Sequence, residues 1–290
     1  MSPRKNGFEA IAPRKEISLF ENADLVAAHA EIVRTLNEKR IKESAFLNTY
    51  RDVNADIQRV RKYESENRAK QTSKERRNKA VADLLEGLMY QGINGGGWLG
   101  ENAQSILTAL YDDYEHGIDQ IIRFSYPETD SHAYLGLGID VTTGNSGGVY
   151  AKFENIKLNI DAGTLGRVKY FSDPYYHGTL PRVPQAIVGI ERDRVEKLAL
   201  DWWANHDSLS QSPVQRLFVM QMRLQMETFA SYAARKGKSD LEQLFLQDER
   251  RLQMILNQKP KQPSAMAELS DDEVYHSIHQ ALQMFSPSAG

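Results

Sequence analysis

Cysteine is absent from this 290-residue chain, which excludes a disulfide framework and any thiolate nucleophile or metal ligand. No apolar run reaches membrane-spanning length, and none of signal-peptide length follows Met1-Ser2-Pro3-Arg4-Lys5-Asn6. The expectation is therefore a soluble, cytoplasmic protein. An excess of charge of one sign is also missing: the net charge is −3, so a polyanion-binding signal has to come from local clustering. Glycine and proline are absent from Arg14 to Glu86, a stretch of good helix formers that predicts long helices. The histidines show no zinc spacing, His276 and His279 being a lone pair three residues apart. What remains for chemistry is carboxylate, Lys, Ser and Thr, on a chain whose 41% apolar content is enough for a sizeable core.

Within the glycine-free stretch, Phe46, Tyr50, Val53, Ile57 and Val60 recur at steps of four and three, the seam of a coiled coil or helical hairpin. The seam ends in the polar positions Glu64, Asn67, Gln71 and Lys74. From Ile57 to Lys79 there are nine Lys/Arg against three Glu. Such a run is either a solvated face or a grip on a phosphate backbone, through Arg61, Lys62, Arg68, Lys70, Lys74, Arg76, Arg77 and Lys79. Apolar periodicity returns at Val81, Leu84, Leu85 and Leu88 on a helix that carries Glu86 and is expected to stop at Gly87 or Gly92. Gln91 to Gly100 is glycine-rich but lacks the Gly-Lys-Ser/Thr of a nucleotide loop and reads as a connection.

Short elements follow. Ser105–Asp112, Ile118–Tyr126 and Ala133–Thr142 read as three successive strands of a meander. Val149–Asp161 then reads as a helix with Gly163 as its stop, and Arg167–Phe171 and Gln185–Ile190 as two further strands. Asp193–His206, the segment from Ser212-Pro213, and Asp240–Asn257 read as covering helices. A Pro/Ser-rich linker and a short acidic helix at Ser270–Met284 close the chain. The expected fold is α/β, a mixed sheet flanked by helices, with a long helical N-terminal arm (1–79), a core with covering helices (80–258) and a terminal segment (259–290).

Two carboxylates stand inside the most apolar strand-like runs: Asp119 in Gly117-Ile118-Asp119-Gln120-Ile121-Ile122, and Asp140 in Leu137-Gly138-Ile139-Asp140-Val141. A charge there is costly unless it is hydrogen-bonded, paired or protonated. Alternation puts Asp140 on the face of Gly136 and Gly138, where small neighbours leave room for an ion or allow close packing. With Glu86 from the preceding helix, the pair makes an all-oxygen set suited to Mg²⁺ or Mn²⁺. Asp112, Asp113 and Asp130 flank expected turns and read as caps.

The order helix, three strands, helix, strand over about residues 80–171, with acids at these places, resembles the PD-(D/E)XK, or restriction-endonuclease-like, nuclease superfamily. The resemblance implies a metal held by Glu86, Asp119 and Asp140, and an Asp/Glu-x-Lys on the third strand. Here that motif is Asp140-Val141-Thr142, with threonine in place of the lysine. Lys152 and Lys157 flank the apolar stripe of the next helix; both are candidates to replace it, Lys152 being nearer the Asp140 strand. The implied function is Mg²⁺-dependent hydrolysis of DNA, with Asp119, Asp140, Lys152 and Lys157 as catalytic residues and a homodimer through the N-terminal helices as an expected assembly. The alternatives are a catalytically inactive member of the fold that binds nucleic acid or serves assembly, and a structural scaffold.

Overall fold

The computed structural model describes residues 21–126, 128–140, 147–259 and 272–286, with Asp140 described by its backbone. The chain is mixed α/β. Helix α1 (Ala23–Lys39) is capped by the Asn22 side chain, which accepts from the amides of Asp24 and Leu25. After a single 3-10 turn, α2 (Val53–Lys70) leads into α3 (Ser73–Asn94), which opens with a reciprocal capping box between Thr72 and Glu75.

Helix α3 runs through both glycines at which it was expected to stop. A Cβ on Gly87 would lie 2.4 Å from Ile32 Cγ2 of α1, and one on Gly92 would lie 2.4 Å from the Trp98 ring. These glycines are points of close approach, not breaks. Leu25, Ala28, Ile32 and Leu36 of α1 thereby join the same buried cluster as Leu84, Leu88 and Trp202. The seam residues Phe46 and Val53 are buried against Ala109 and Tyr170.

The main sheet has the order β1 (Ala103–Leu107), β2 (Gln120–Tyr126), β3 (Ser131–Asp140), β6 (Gln185–Gly189). The first two pairings are antiparallel and the β3–β6 pairing is parallel. A crossover through α5 (Gly147–Ala162) and a two-stranded sheet of β4 (Gly166–Ser172) and β5 (His177–Val183) separates β3 from β6. Two expectations are corrected here. The segment 105–112 is not one strand: β1 ends at Leu107 and α4 (Leu110–His116) follows, closed by Gly117 at φ +63. The strand expected at 167–171 does not join the main sheet; β6 fills that place and β4 pairs with β5.

The two faces of the main sheet are packed differently. Ile122 and Phe124 of β2, with Leu135, Leu137 and Ile139 of β3, face the large helical core. Ile118 and Ile121 face Val168, Phe171, Leu180 and Val183 of the small sheet. The glycine face of β3 is therefore filled. A Cβ on Gly138 would meet Ile187 Cδ1 at 2.8 Å and the Gly117 carbonyl at 2.9 Å, so these glycines serve close packing.

Helices α6 (Arg192–Ala204), α7 (Val214–Arg235), α8 (Ser239–Gln258) and α9 (Glu273–Leu282) cover the core. The linker expected beyond Lys259 falls on residues 260–271, outside the described residues. Among the described residues no helix is long and apolar enough to cross a membrane. The open edge of β6 is closed by side chains that imitate a strand: Gln225 accepts from Ile187 N at 2.8 Å and donates to Ile187 O at 2.6 Å. Gln221 does the same at Gly189, at 3.1 and 2.8 Å. Both glutamines are fully buried, so losing one strands backbone groups away from water. Gln225→Leu is expected to lower the unfolding free energy by roughly 1–3 kcal/mol in urea titration; unchanged stability would refute this account of the edge.

Candidate active site

Asp119 sits one residue before β2, where the β2–β3 ladder gives out. Its amide donates to the Leu137 carbonyl at 2.8 Å, and its carboxylate, not its carbonyl, accepts the next amide of β3, Ile139 N, at 2.7 Å. The carbonyl of Asp119 is taken instead by Thr108, whose amide and hydroxyl donate at 3.1 and 3.0 Å. The turn from β1 into α4 thus holds Asp119 by its backbone and leaves its half-buried carboxylate at the end of the sheet.

Lys152 of α5 reaches the same place. Its Nζ donates to the Ile139 carbonyl at 2.7 Å. The N–H and C=O of one strand residue point to the same edge, so the Asp119 carboxylate and the Lys152 ammonium lie on the same side of β3. Asp140 is the next residue, its backbone in register with Gly189. The side chain of Asp140 and the whole of Thr142 lie outside the described residues.

Behind Asp119 is a buried charge cluster. Arg40, which ends α1, places Nη2 on Glu86 Oε1 at 2.5 Å and Nη1 on the Thr108 carbonyl at 3.2 Å, with Asp113 Oδ2 of α4 at 3.8 Å. Arg40 is 8% exposed and Glu86 7%. Burial works against the Arg40 charge, but the carboxylates of Glu86, Asp113 and Asp119 more than offset it and raise its pKa. Glu86 is pushed up to about 7, chiefly by burial and further by Asp119 and Asp83, against the pull of Arg40. Asp113 is pushed well above the usual carboxylate range by burial, by Asp119 and Glu86, and by a hydrogen bond with Asp119. One guanidinium does not neutralise three carboxylates, so the surplus negative charge adds to burial in raising Glu86 and Asp113.

The rim of the cluster is Asp83, with Lys79 Nζ at 2.9 Å and His29 Nε2 at 3.6 Å. Burial pushes Asp83 up, but these two partners hold it below its ordinary value. Lys79, read from the sequence as a phosphate contact, therefore also serves this cluster. Arg77 is paired with Glu196 of α6 at 3.2 Å, whereas Arg61, Lys62, Arg68, Lys70, Lys74 and Arg76 are exposed. Lys157 is elsewhere: it pairs with Asp161 at 2.8 Å, beside the Tyr232 ring.

The structure thus brings Glu86, Asp119 and Lys152 to one end of the sheet, with the backbone of Asp140, and leaves Lys157 out. Sequence reasoning missed Arg40 and Asp113. Asp112 is not a turn cap: its carboxylate reaches across to β4 and accepts from the amides of Lys169 and Tyr170 at 2.6 and 2.9 Å. Asp113, the next residue, points instead into the charge cluster. The available signal was Gly117, a helix-ending glycine six residues after Ala109-Leu110-Tyr111 that marks a short helix where a strand was read. A further pattern, Gly144-Asn145-Ser146-Gly147-Gly148, has the G-x-S-x-G spacing of a nucleophile elbow. Ser146 lies outside the described residues. Every histidine has a contact of its own: His29 and His116 with aspartates, the others with Tyr175, Phe46, Trp202 and Tyr275. Among the described residues no group of three or more His, Asp or Glu is arranged to hold a metal ion by itself, so a metal reading depends on Asp140. Comparison of the chain with family models, curated proteins and solved structures gives no match.

Because Glu86 keeps its proton to about pH 7 when folded but only to its ordinary value when unfolded, the native state binds more protons between these limits. Its contribution to stability is complete below the unfolded value and is lost as pH rises through about 7. Glu86→Gln is therefore expected to gain on the wild type by roughly 1–3 kcal/mol between pH 4.5 and 7.5 in urea unfolding. A difference that does not change with pH would contradict this. Arg40→Met, which strands Glu86 without its partner, is expected to destabilise by roughly 3–5 kcal/mol at pH 8; a loss under about 1 kcal/mol would show the pair to be dispensable.

Proposed function

We propose that the chain carries a restriction-endonuclease-like core and hydrolyses phosphodiester bonds of DNA with Mg²⁺ or Mn²⁺. The observation that carries this reading is the meeting of the Asp119 carboxylate and the Lys152 ammonium on Ile139, the residue before Asp140. The connectivity supports it: helix α3, antiparallel β1–β2–β3, crossover helix α5, and a strand parallel to β3. The order that the resemblance implies, helix, three strands, helix, strand, is met only if α4 between β1 and β2 and the β4–β5 pair are taken as insertions and β6, not the strand at 167–171, is the last strand.

Glu86, Asp119 and Asp140 would hold the ion. Their donors are carboxylate oxygens, which suit a small hard cation, and the surplus negative charge around Arg40 is what a divalent ion would offset. Bound there, the ion would lower the pKa of a water and offset charge on the phosphate. Lys152 stands in for the lysine displaced by Thr142: its ammonium, fixed on a carbonyl at the strand end, stabilises negative charge that develops on the scissile group. Burial and the neighbouring Asp119 push the Asp113 carboxyl well above the usual carboxylate range. Helix α2, whose exposed side carries Arg61, Lys62, Arg68 and Lys70, packs on α4, the helix of Asp113, so the phosphate-gripping surface adjoins the cluster.

A second reading is favoured by one contact. Arg40 already occupies one carboxylate oxygen of Glu86, which fits a module of the same fold that binds nucleic acid without cutting it. Cleavage of supercoiled and linear DNA separates the two. The first reading expects cutting that requires Mg²⁺, stops with EDTA, and falls by roughly 10²-fold or more in Asp119→Asn and in Lys152→Met. Cutting that is equal in wild type and both variants would overturn it. Salt-sensitive DNA binding with no cleavage under any metal would leave the binding module.

A further inference from the structure

Tyr63 of α2 is 49% exposed, a large apolar ring left in water in the middle of the chain's basic stretch. Its ring lies on Tyr114 of α4, with centroids 4.6 Å apart and planes tilted by 40°. Tyr114 is anchored in turn: its hydroxyl donates to Glu64 Oε1 at 3.5 Å, and it directly follows Asp113 of the charge cluster. One face of Tyr63 is therefore fixed by a second aromatic, and the ring is held against the rim of the site while much of it remains open.

Its neighbours on the helix carry positive charge. At 100° per residue, Arg59 and Lys70 fall within about 40° of Tyr63, beside the side of α2 that packs on α4, and both are exposed. The carboxylates on this flank are already matched, Asp56 by Lys169 at 2.5 Å and by Arg59 itself at 3.7 Å, and Glu66 by Lys62 at 3.9 Å. An aromatic face between cations is the pattern that binds a nucleobase by stacking and its phosphates by charge. Duplex DNA keeps its bases stacked on each other and offers none to such a ring; an unpaired strand does.

We propose that Tyr63, backed by Tyr114, is a base-stacking residue, and that the strand presented to the site is single-stranded or locally unpaired nucleic acid. This rests on the nuclease reading for the nearby chemistry, but it is separable from it because it concerns bases, not phosphates. Tyr63 is a positioning residue: it fixes the strand beside the acidic cluster and touches no reacting atom.

The test compares a fluorescent thymidine oligonucleotide of about 12 residues with an abasic strand of the same length, in EDTA and low salt. Wild type is expected to bind the thymidine strand about 5- to 100-fold more tightly than the abasic one. Tyr63→Ala is expected to bring the two affinities together, Tyr63→Phe to keep them apart, and neither to change the salt dependence or the melting temperature appreciably. Equal binding of both strands by wild type would overturn the stacking proposal and leave the phosphate grip standing. A base preference that survives in Tyr63→Ala would overturn the assignment of this residue. No binding of either strand would overturn both this proposal and the nucleic-acid reading on which it rests.

Discussion

The guanidinium of Arg40 is the interaction on which this end of the molecule depends. It ends α1, touches Glu86 of α3, the carbonyl of Thr108 after β1 and the carboxylate of Asp113 in α4, and so ties four separate elements to one positive charge. A buried carboxylate without such a partner would be strongly destabilising. Arg40 nonetheless supplies less charge than the cluster carries, and burial together with the neighbouring carboxylates pushes Glu86 and Asp113 up.

The sheet turns that charge toward solvent at a defined place. Asp119 replaces a ladder carbonyl with its carboxylate just before β2 begins, and Lys152 fills the neighbouring position on the same strand residue. The rest of the fold fixes that strand end. Gln221 and Gln225 close the outer edge of β6, the small β4–β5 sheet fills the glycine face of β3, and the helices bury the other face. Displacement of β3 by one residue would turn Leu135, Leu137 and Ile139 out of the core, so the position of Asp119 relative to Ile139 is as secure as the core itself.

Much of this was legible in the amino-acid order because charge in an apolar run is conspicuous. Glu86 among Leu84, Leu85 and Leu88, and Asp119 among isoleucines, could be singled out without coordinates, and the alternation of β3 correctly put Leu135, Leu137 and Ile139 on one face. Arg40 could not be found this way: it follows an ordinary amphipathic helix, and its partner Glu86 is 46 residues away. Asp113 was concealed by its neighbours, since Leu110 and Tyr111 suit a strand and a seven-residue helix is too short to show periodicity. The β4–β5 pairing was hidden for another reason. In β5 the pattern His177-Gly178-Thr179-Leu180-Pro181-Arg182-Val183 includes a proline and few apolar residues, which marks an edge strand only when its partner is known.

Under the proposed function, these carboxylates form a cation site from which the ion displaces protons. Isothermal titration of Mg²⁺ into the protein near pH 6.5, repeated in buffers of different ionisation enthalpy, measures that exchange directly. Saturable binding with net proton release is expected, both lost in Asp119→Asn. Binding without proton release, or no binding at millimolar Mg²⁺, would contradict it.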